Sequence, residues 1–254
     1  MTSARGRAGA AVLGSPIAHS LSPVLHRAAY DALGLTHWTY RAIECGEAEL
    51  SRVLRSLDGE GLAGVSLTMP LKRAVLRMLA SVETLAAEVG AANTVLFGAS
   101  GQWSGFNTDV PGMVDALAGI DVPETATVLG SGATAASAVA ALARLGVRSV
   151  VVKARGPGLV ADIEPWPTAV DDELVVSTVP AGAADGLAVG DVRGKVLFDV
   201  VYAPWPTPLA AKWSAASGTV IGGLELLITQ AAHQVKLMTG LEPPTEVMRR
   251  ALGS

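Results

Sequence analysis

Short apolar runs alternate with helix-like segments along nearly the whole chain, and this alternation constrains the fold more than any other feature. Strand, helix, strand in repeated order argues for parallel βαβ layers. In the first half, 10–13, 38–43, 62–67 and 94–97 read as strands, and helices are expected at 22–33, 47–57, about 71–80 and about 83–89. Ser22-Pro23 reads as an N-cap followed by proline in the first helical position, and Gly34 stops that helix. A second series begins at Thr125. Strands are expected at 125–129, 150–153, 174–177, 196–200 and 219–221, with a helix at 133–145. A long amphipathic helix follows at 224–239, ended by Gly240, and Pro243-Pro244 precede a last helix. The two series meet near Gly105–Thr108.

The chain has 254 residues, half of them hydrophobic, which suffices for one large domain or two small ones with real cores. A formal net charge of −4 and the lack of any Lys/Arg block give no footprint for nucleic acid or membrane surfaces. The two arginines of 1–7 precede an apolar stretch that Gly14 and Pro16 cut short, so neither a signal peptide nor a transmembrane span is expected. The single cysteine, Cys45, cannot form an internal disulfide, and a reducing cytoplasm is the expected setting.

Val128-Leu129-Gly130-Ser131-Gly132-Ala133-Thr134-Ala135 matches G-x-G-x-x-A between a strand and a helix. The first glycine permits the tight turn, the second lets backbone approach a pyrophosphate, and Ala135 permits close helix–strand packing. Dinucleotide binding is the functional reading of this segment, and a purely structural turn is the other. An NAD site usually offers an acid about twenty residues on. Here the second strand ends Lys153-Ala154-Arg155-Gly156. Arg155 reads either as a partner for a 2′-phosphate, favouring NADP, or as a solvated loop arginine.

Further polar clusters fall where strands end. Gly14-Ser15-Pro16-Ile17-Ala18-His19-Ser20-Leu21-Ser22-Pro23 places hydroxyls at a helix start, a natural carboxylate site. Ser66-Leu67-Thr68-Met69-Pro70-Leu71-Lys72 places a hydroxyl and an ammonium after a strand, although a lone lysine is often only a surface charge. Ala92-Asn93-Thr94 and Gly105-Phe106-Asn107-Thr108-Asp109 add amides, hydroxyls and a carboxylate.

Taken in order, these segments resemble the shikimate dehydrogenase family: G-x-P-I-x-H-S-x-S-P, N-V-T-x-P-x-K, A-N-T, G-x-N-T-D and the glycine-rich turn. Two later segments fit as well. Asp199 to Leu209 is similar to D-x-x-Y-x-P-x-x-T-P-L, and Gly223 to Ala231 to G-x-x-M-L-x-x-Q-A. Three positions depart from the pattern: Ser66 stands in place of Asn, Leu226 in place of Met, and Ala154-Arg155-Gly156 in place of N-R-T.

The resemblance implies an α/β protein of two domains, with the active site in the cleft between them. An αβα substrate domain with a mainly parallel sheet, 1–105 plus 225–254, would be discontinuous; a Rossmann-like NADP domain would occupy 106–224. It implies interconversion of 3-dehydroshikimate and shikimate with NADP(H), in chorismate and aromatic amino-acid biosynthesis. Ser20 and Ser22 would hold the substrate carboxylate, with Tyr202 near that end. Thr68, Asn93, Asp109 and Gln230 would bind ring hydroxyls or support the groups that do. Lys72 would be catalytic, with Asp109 beside it. Gly130, Ser131, Gly132, Ala133, Thr134, Ala135, Ala154, Arg155, Thr178, Val200 and Gly223 would line the cofactor site. His19 reads as structural. No metal is expected, and the protein would be a monomer or homodimer. Quinate or aminoshikimate dehydrogenase activity, or a non-catalytic sensor of such metabolites, is the alternative. Methylene-tetrahydrofolate dehydrogenases share the two-domain plan, but the serine-rich first motif does not suit them.

Overall fold

The computed structural model describes residues 7–253, so most of the arginine-bearing 1–7 segment lies outside the described residues. The chain divides into two compact units. One comprises the segments up to Thr108 and from Ile228 onward; the other is Asp109–Leu227.

The first unit is built on β1 (Ala10–Gly14), α1 (Ser22–Ala32), β2 (Tyr40–Glu44), α2 (Leu50–Gly59), β3 (Gly64–Leu67), α3 (Leu71–Ala74), β4 (Ser81–Val82), α4 (Thr84–Val89), β5 (Thr94–Phe97) and β6 (Trp103–Phe106). The sheet order is β2-β1-β3-β5-β6-β4. β1 runs parallel to β2 and β3, whereas β5 is antiparallel to both β3 and β6. Leu50, Leu54 and Leu57 recur at helical spacing on α2 and bury against Leu13, Val65 and Leu67. The helix expected at 71–80 is shorter. After Ala74 the chain tightens into a 3-10 turn, Val75–Met78, and then extends so that Ser81 pairs beside Ser104.

Ser22 is not the N-cap of α1. It is the first helical residue; Leu21 holds the cap position, with no side-chain capping bond. Pro23 presets the helical φ there, and the Ser22 amide donates instead to Ser20 Oγ at 3.3 Å.

The second unit contains α5 (Asp109–Ala116), β7 (Thr125–Leu129), α6 (Ala133–Leu145), β8 (Ser149–Ala154), β9 (Glu164–Pro165), β10 (Ala169–Val170), β11 (Leu174–Ser177), β12 (Ala188–Val189), β13 (Val196–Asp199), α7 (Pro208–Ala215) and β14 (Thr219–Gly222). Its main sheet has the order β14-β13-β11-β7-β8-β9, with every pair parallel. From β7 the chain moves one way to β8 and β9, then crosses to β11 on the other side. The reversal lies between β7 and β11, where open α/β sheets take their ligands. The crossover from β8 to β11 carries no helix, only β9 and β10. α8 (Gly223–Thr239) begins in this unit and ends in the first, where α9 (Thr245–Ala251) packs on α1.

Candidate active site

In the first unit, three sequence-distant segments are tied together at strand ends. A Cβ at Gly14 would lie 2.3 Å from Thr68 Cγ2, so only glycine admits the turn after β3. The Thr68 amide donates to Leu13 O at 2.9 Å and the Ser15 amide to Met69 O at 3.0 Å, which joins the segment carrying Ser20 and Ser22 to the one carrying Thr68 and Lys72. Lys72 sits half-buried on α3, and its carbonyl accepts the Ala92 amide at 2.9 Å. That bond sets Asn93 next to the lysine segment.

Asn93 is almost fully buried. Its Oδ1 accepts the Thr108 amide at 2.8 Å and the Thr94 hydroxyl at 2.9 Å, and its carbonyl accepts the Leu67 amide at 2.7 Å. Thr108 immediately precedes Asp109, which opens α5 in the second unit and is itself buried. A buried relay continues from Asn93. Gln234 Nε2 donates to Asn93 O at 3.5 Å, Ser66 Oγ donates to Gln234 Oε1 at 2.8 Å, and the Tyr40 phenol donates to Ser66 Oγ at 2.8 Å. Gln230 lies one turn before Gln234 on the same face of α8. Gln234 belongs to none of the motifs, and its only sequence signal is that four-residue spacing. His19 is exposed.

In the second unit the construction differs. Gly130 has φ +114°, and a Cβ there would lie 2.6 Å from Thr178 Oγ1. Thr178 donates to Leu129 O from its amide at 2.9 Å and from its hydroxyl at 2.7 Å. The Val200 amide donates to Ser177 O at 3.0 Å, and a Cβ at Gly223 would lie 2.1 Å from Val200 O. Gly130, Thr178, Val200 and Gly223 thus follow the C-terminal ends of β7, β11, β13 and β14 in order across the sheet.

Gly132 has open space where a side chain would be, and α6 starts there without a side-chain cap. Its first-turn amides therefore meet no protein oxygen from a capping side chain, as a pyrophosphate cradle requires. Ala135 is fully buried, and Ala133 and Thr134 are half-buried on the same turn. At the end of β8, Ala154 is buried and Arg155 exposed. The guanidinium lies 4.4 Å over the ring of Trp166, and Nη2 donates to Ala183 O at 2.5 Å. The open turn, the uncapped helix and a cation in place of an acid fit a phosphorylated dinucleotide.

Tyr202 lies half-buried in the loop after β13, with its phenol pushed up by burial. Asp199 closes that loop: its carboxylate accepts the Thr207 hydroxyl at 2.7 Å and the Val201 amide at 3.2 Å. Thr207 Oγ1 in turn accepts the Ala210 amide at 3.1 Å and caps α7. Among the described residues, no group of three or more His, Cys, Asp and Glu side chains could hold a metal ion, and no helix is long and apolar enough to cross a membrane.

Comparison with known proteins places this construction among relatives. Residues 12–95 match the shikimate dehydrogenase substrate binding domain model, and 223–252 match the shikimate 5′-dehydrogenase C-terminal domain model. A Synechococcus protein described as shikimate dehydrogenase (NADP(+)) is 35% identical over 94% of this chain and 93% of its own. The Mycobacterium tuberculosis shikimate dehydrogenase crystal structure superposes with a TM-score of 0.86 at 43% identity, covering 97% of this chain and 99% of that one. A Thermus thermophilus shikimate 5-dehydrogenase, solved with NADP(H) and shikimate, gives a TM-score of 0.83 at 32% identity, covering 96% and 98%.

Proposed function

Since this chain belongs to the shikimate dehydrogenase family, we propose that it interconverts 3-dehydroshikimate and shikimate with NADP(H), using Lys72 as its proton donor and acceptor. The observation that carries the reading is the Lys72 O–Ala92 N hydrogen bond of 2.9 Å, which joins the ammonium-bearing segment to Asn93 and its buried network. The segments that carry an ammonium, a hydroxyl and an amide are thus tied together just after strand ends, suited to a small polyhydroxylated ring.

NADP(H), when bound, supplies or takes up the hydride. The chain's own residues do the rest. In the reducing direction, Lys72 Nζ donates to the ketone oxygen as negative charge develops there and delivers the proton; in the oxidising direction it takes the hydroxyl proton. Thr68, Asn93 and Gln230 hold ring hydroxyls or support the groups that do, and Asp109 orients substrate and lysine. Ser20 and Ser22 donate hydroxyls to the carboxylate, with Tyr202 near that end. Gly130 to Ala135 take the pyrophosphate on backbone amides, Arg155 takes the 2′-phosphate, and Ala154, Thr178, Val200 and Gly223 shape the floor beneath. Quinate carries an additional ring hydroxyl near its carboxylate, which the two serine hydroxyls leave little room for. A cytoplasmic setting is proposed on the single buried thiol of Cys45, and a monomer or homodimer as the form.

The test is NADP reduction with shikimate and quinate side by side, on the wild type and on Lys72→Ala. Shikimate should give a kcat/KM at least about tenfold higher. The variant should lose about 10²- to 10⁴-fold in kcat with KM little changed. A variant keeping most of its kcat removes Lys72 from the chemistry. Tight shikimate binding with no turnover by the wild type would instead mark a sensor.

A further inference from the structure

The crossover that replaces a helix between β8 and β11 holds Arg155 in a defined pose. β9 pairs with the end of β8, Pro165 beside Ala154, so Trp166 and Arg155 are the next residues on adjacent strands. Trp166 is half-buried and packs against the core cluster that contains Leu129, Val170 and Val175. Pro165 and Pro167 flank it and fix φ on both sides. The guanidinium lies over this anchored ring at 4.4 Å and is held at one corner by Ala183 O. Its other N–H donors have no partner among the described residues.

The same segment is tied to the glycine turn. The Gly130 amide donates to Lys153 O at 2.9 Å, Ser131 Oγ donates to Gly156 O at 2.9 Å, and the Leu159 amide donates to Ser131 O at 2.6 Å. Gly158 approaches so closely that a Cβ would lie 2.1 Å from Ser131 O. The chain on both sides of Arg155 is therefore fixed relative to the turn that takes the pyrophosphate.

We propose that Trp166 is a positioning residue for NADP: its ring, anchored on the core, holds the Arg155 guanidinium in place at the end of β8 and so sets the preference for a 2′-phosphate over a 2′-hydroxyl. This rests on the reading that Arg155 takes the 2′-phosphate. An arginine on a flexible loop must lose side-chain entropy when the phosphate arrives. Held over a fixed aromatic ring and by Ala183 O, Arg155 has lost part of it beforehand, which leaves its remaining donors for the phosphate. The Asn and Thr absent on either side of Arg155 are not needed to orient it.

The experiment measures binding of adenosine 2′,5′-bisphosphate and of 5′-AMP to the full chain by calorimetry, alongside KM for NADP and NAD. Trp166→Ala should weaken the bisphosphate about tenfold and leave 5′-AMP within about twofold. Trp166→Phe should recover most of the loss. In an Arg155→Ala background Trp166→Ala should add nothing further, since the ring acts through the arginine. Trp166→Leu keeps apolar packing without a π face; it should behave as the alanine variant does, and it carries the test if that variant does not fold. Equal weakening of both ligands would make Trp166 merely structural and overturn the proposal. Unchanged binding in Trp166→Ala, with Arg155→Ala still losing the bisphosphate selectively, overturns it too. An Arg155→Ala protein with undiminished selectivity overturns the underlying reading, and that arm separates the two failures.

Discussion

The two units prepare their strand ends with different emphasis. In the first, beside the close approach at Gly14, buried side chains do most of it: Asn93, Thr108, Ser66 and Gln234 are all nearly or fully buried and bond to one another or to backbone. In the second, missing side chains do most of it: Gly158 and Gly223 let backbone segments approach to distances no Cβ would allow, and Gly130 leaves room for the Thr178 hydroxyl. A polyhydroxylated ring is recognised by many directed donors and acceptors. A pyrophosphate is recognised by backbone amides, which are reached only where nothing projects. At the site, the first unit should therefore fail chiefly when a buried polar group is removed, and the second chiefly when a side chain is added.

The largest effect tests the first half of that contrast. Asn93→Ala leaves the Thr108 amide and the Thr94 hydroxyl buried without their acceptor, so unfolding in denaturant should show a loss of about 4 kcal/mol. A loss below about 1 kcal/mol would mean that the polar network is incidental. Next comes Gly223→Ala, a single added methyl aimed at the Val200 carbonyl. It should cost about 3 kcal/mol and raise the KM for NADP. An unchanged protein would show that the second unit yields where it is drawn tight.

The third test is acid. All four histidines lie in segments of the first unit, and His26 is fully buried there. Burial lowers its pKa from 6.5 to about 4, against a smaller opposing contribution from the hydrogen bond with Ser22 O. The unfolded chain therefore binds a proton between pH 6.5 and 4 that the folded chain does not, and stability falls as pH falls through that window. By pH 5 the loss should reach roughly 2 kcal/mol, and His26→Phe should abolish it in urea unfolding measured at pH 7 and pH 5. Asp199 in the second unit works in the other direction. Burial raises its pKa, so acid costs no stability through that group.

Several elements were legible because their pattern is local. The strands Thr125–Leu129 and Leu174–Ser177 and the helix Ala133–Leu145 lie where periodicity and the glycine turn put them. Others, among them β6, α5 and α7, carry no such signal. β6 is four residues long with a glycine inside it, and it exists because β5 offers an antiparallel edge. α5 contains Pro111 and Gly112, which propensity assigns to a turn, and packing against α6 overrides that preference. α7 follows a proline-rich loop, although Thr207-Pro208 is a cap and first-turn pair. At the site, motifs can nominate Lys72 or Asn93, but not the bonds that hold them. Ser66 and Gln234 are 168 positions apart and meet only once the fold sets their register.

The two-residue β9 has a consequence for the molecule among its neighbours in solution. It forms the outer edge of the second sheet, and an exposed strand edge is a template for pairing with another chain. Pro165 has no N–H to offer, Pro167 removes another, and the strand is too short to guide a partner. The segment that holds Arg155 thus also caps the end of β8, Lys153 and Ala154, with a strand poorly suited to extending the sheet into a second copy.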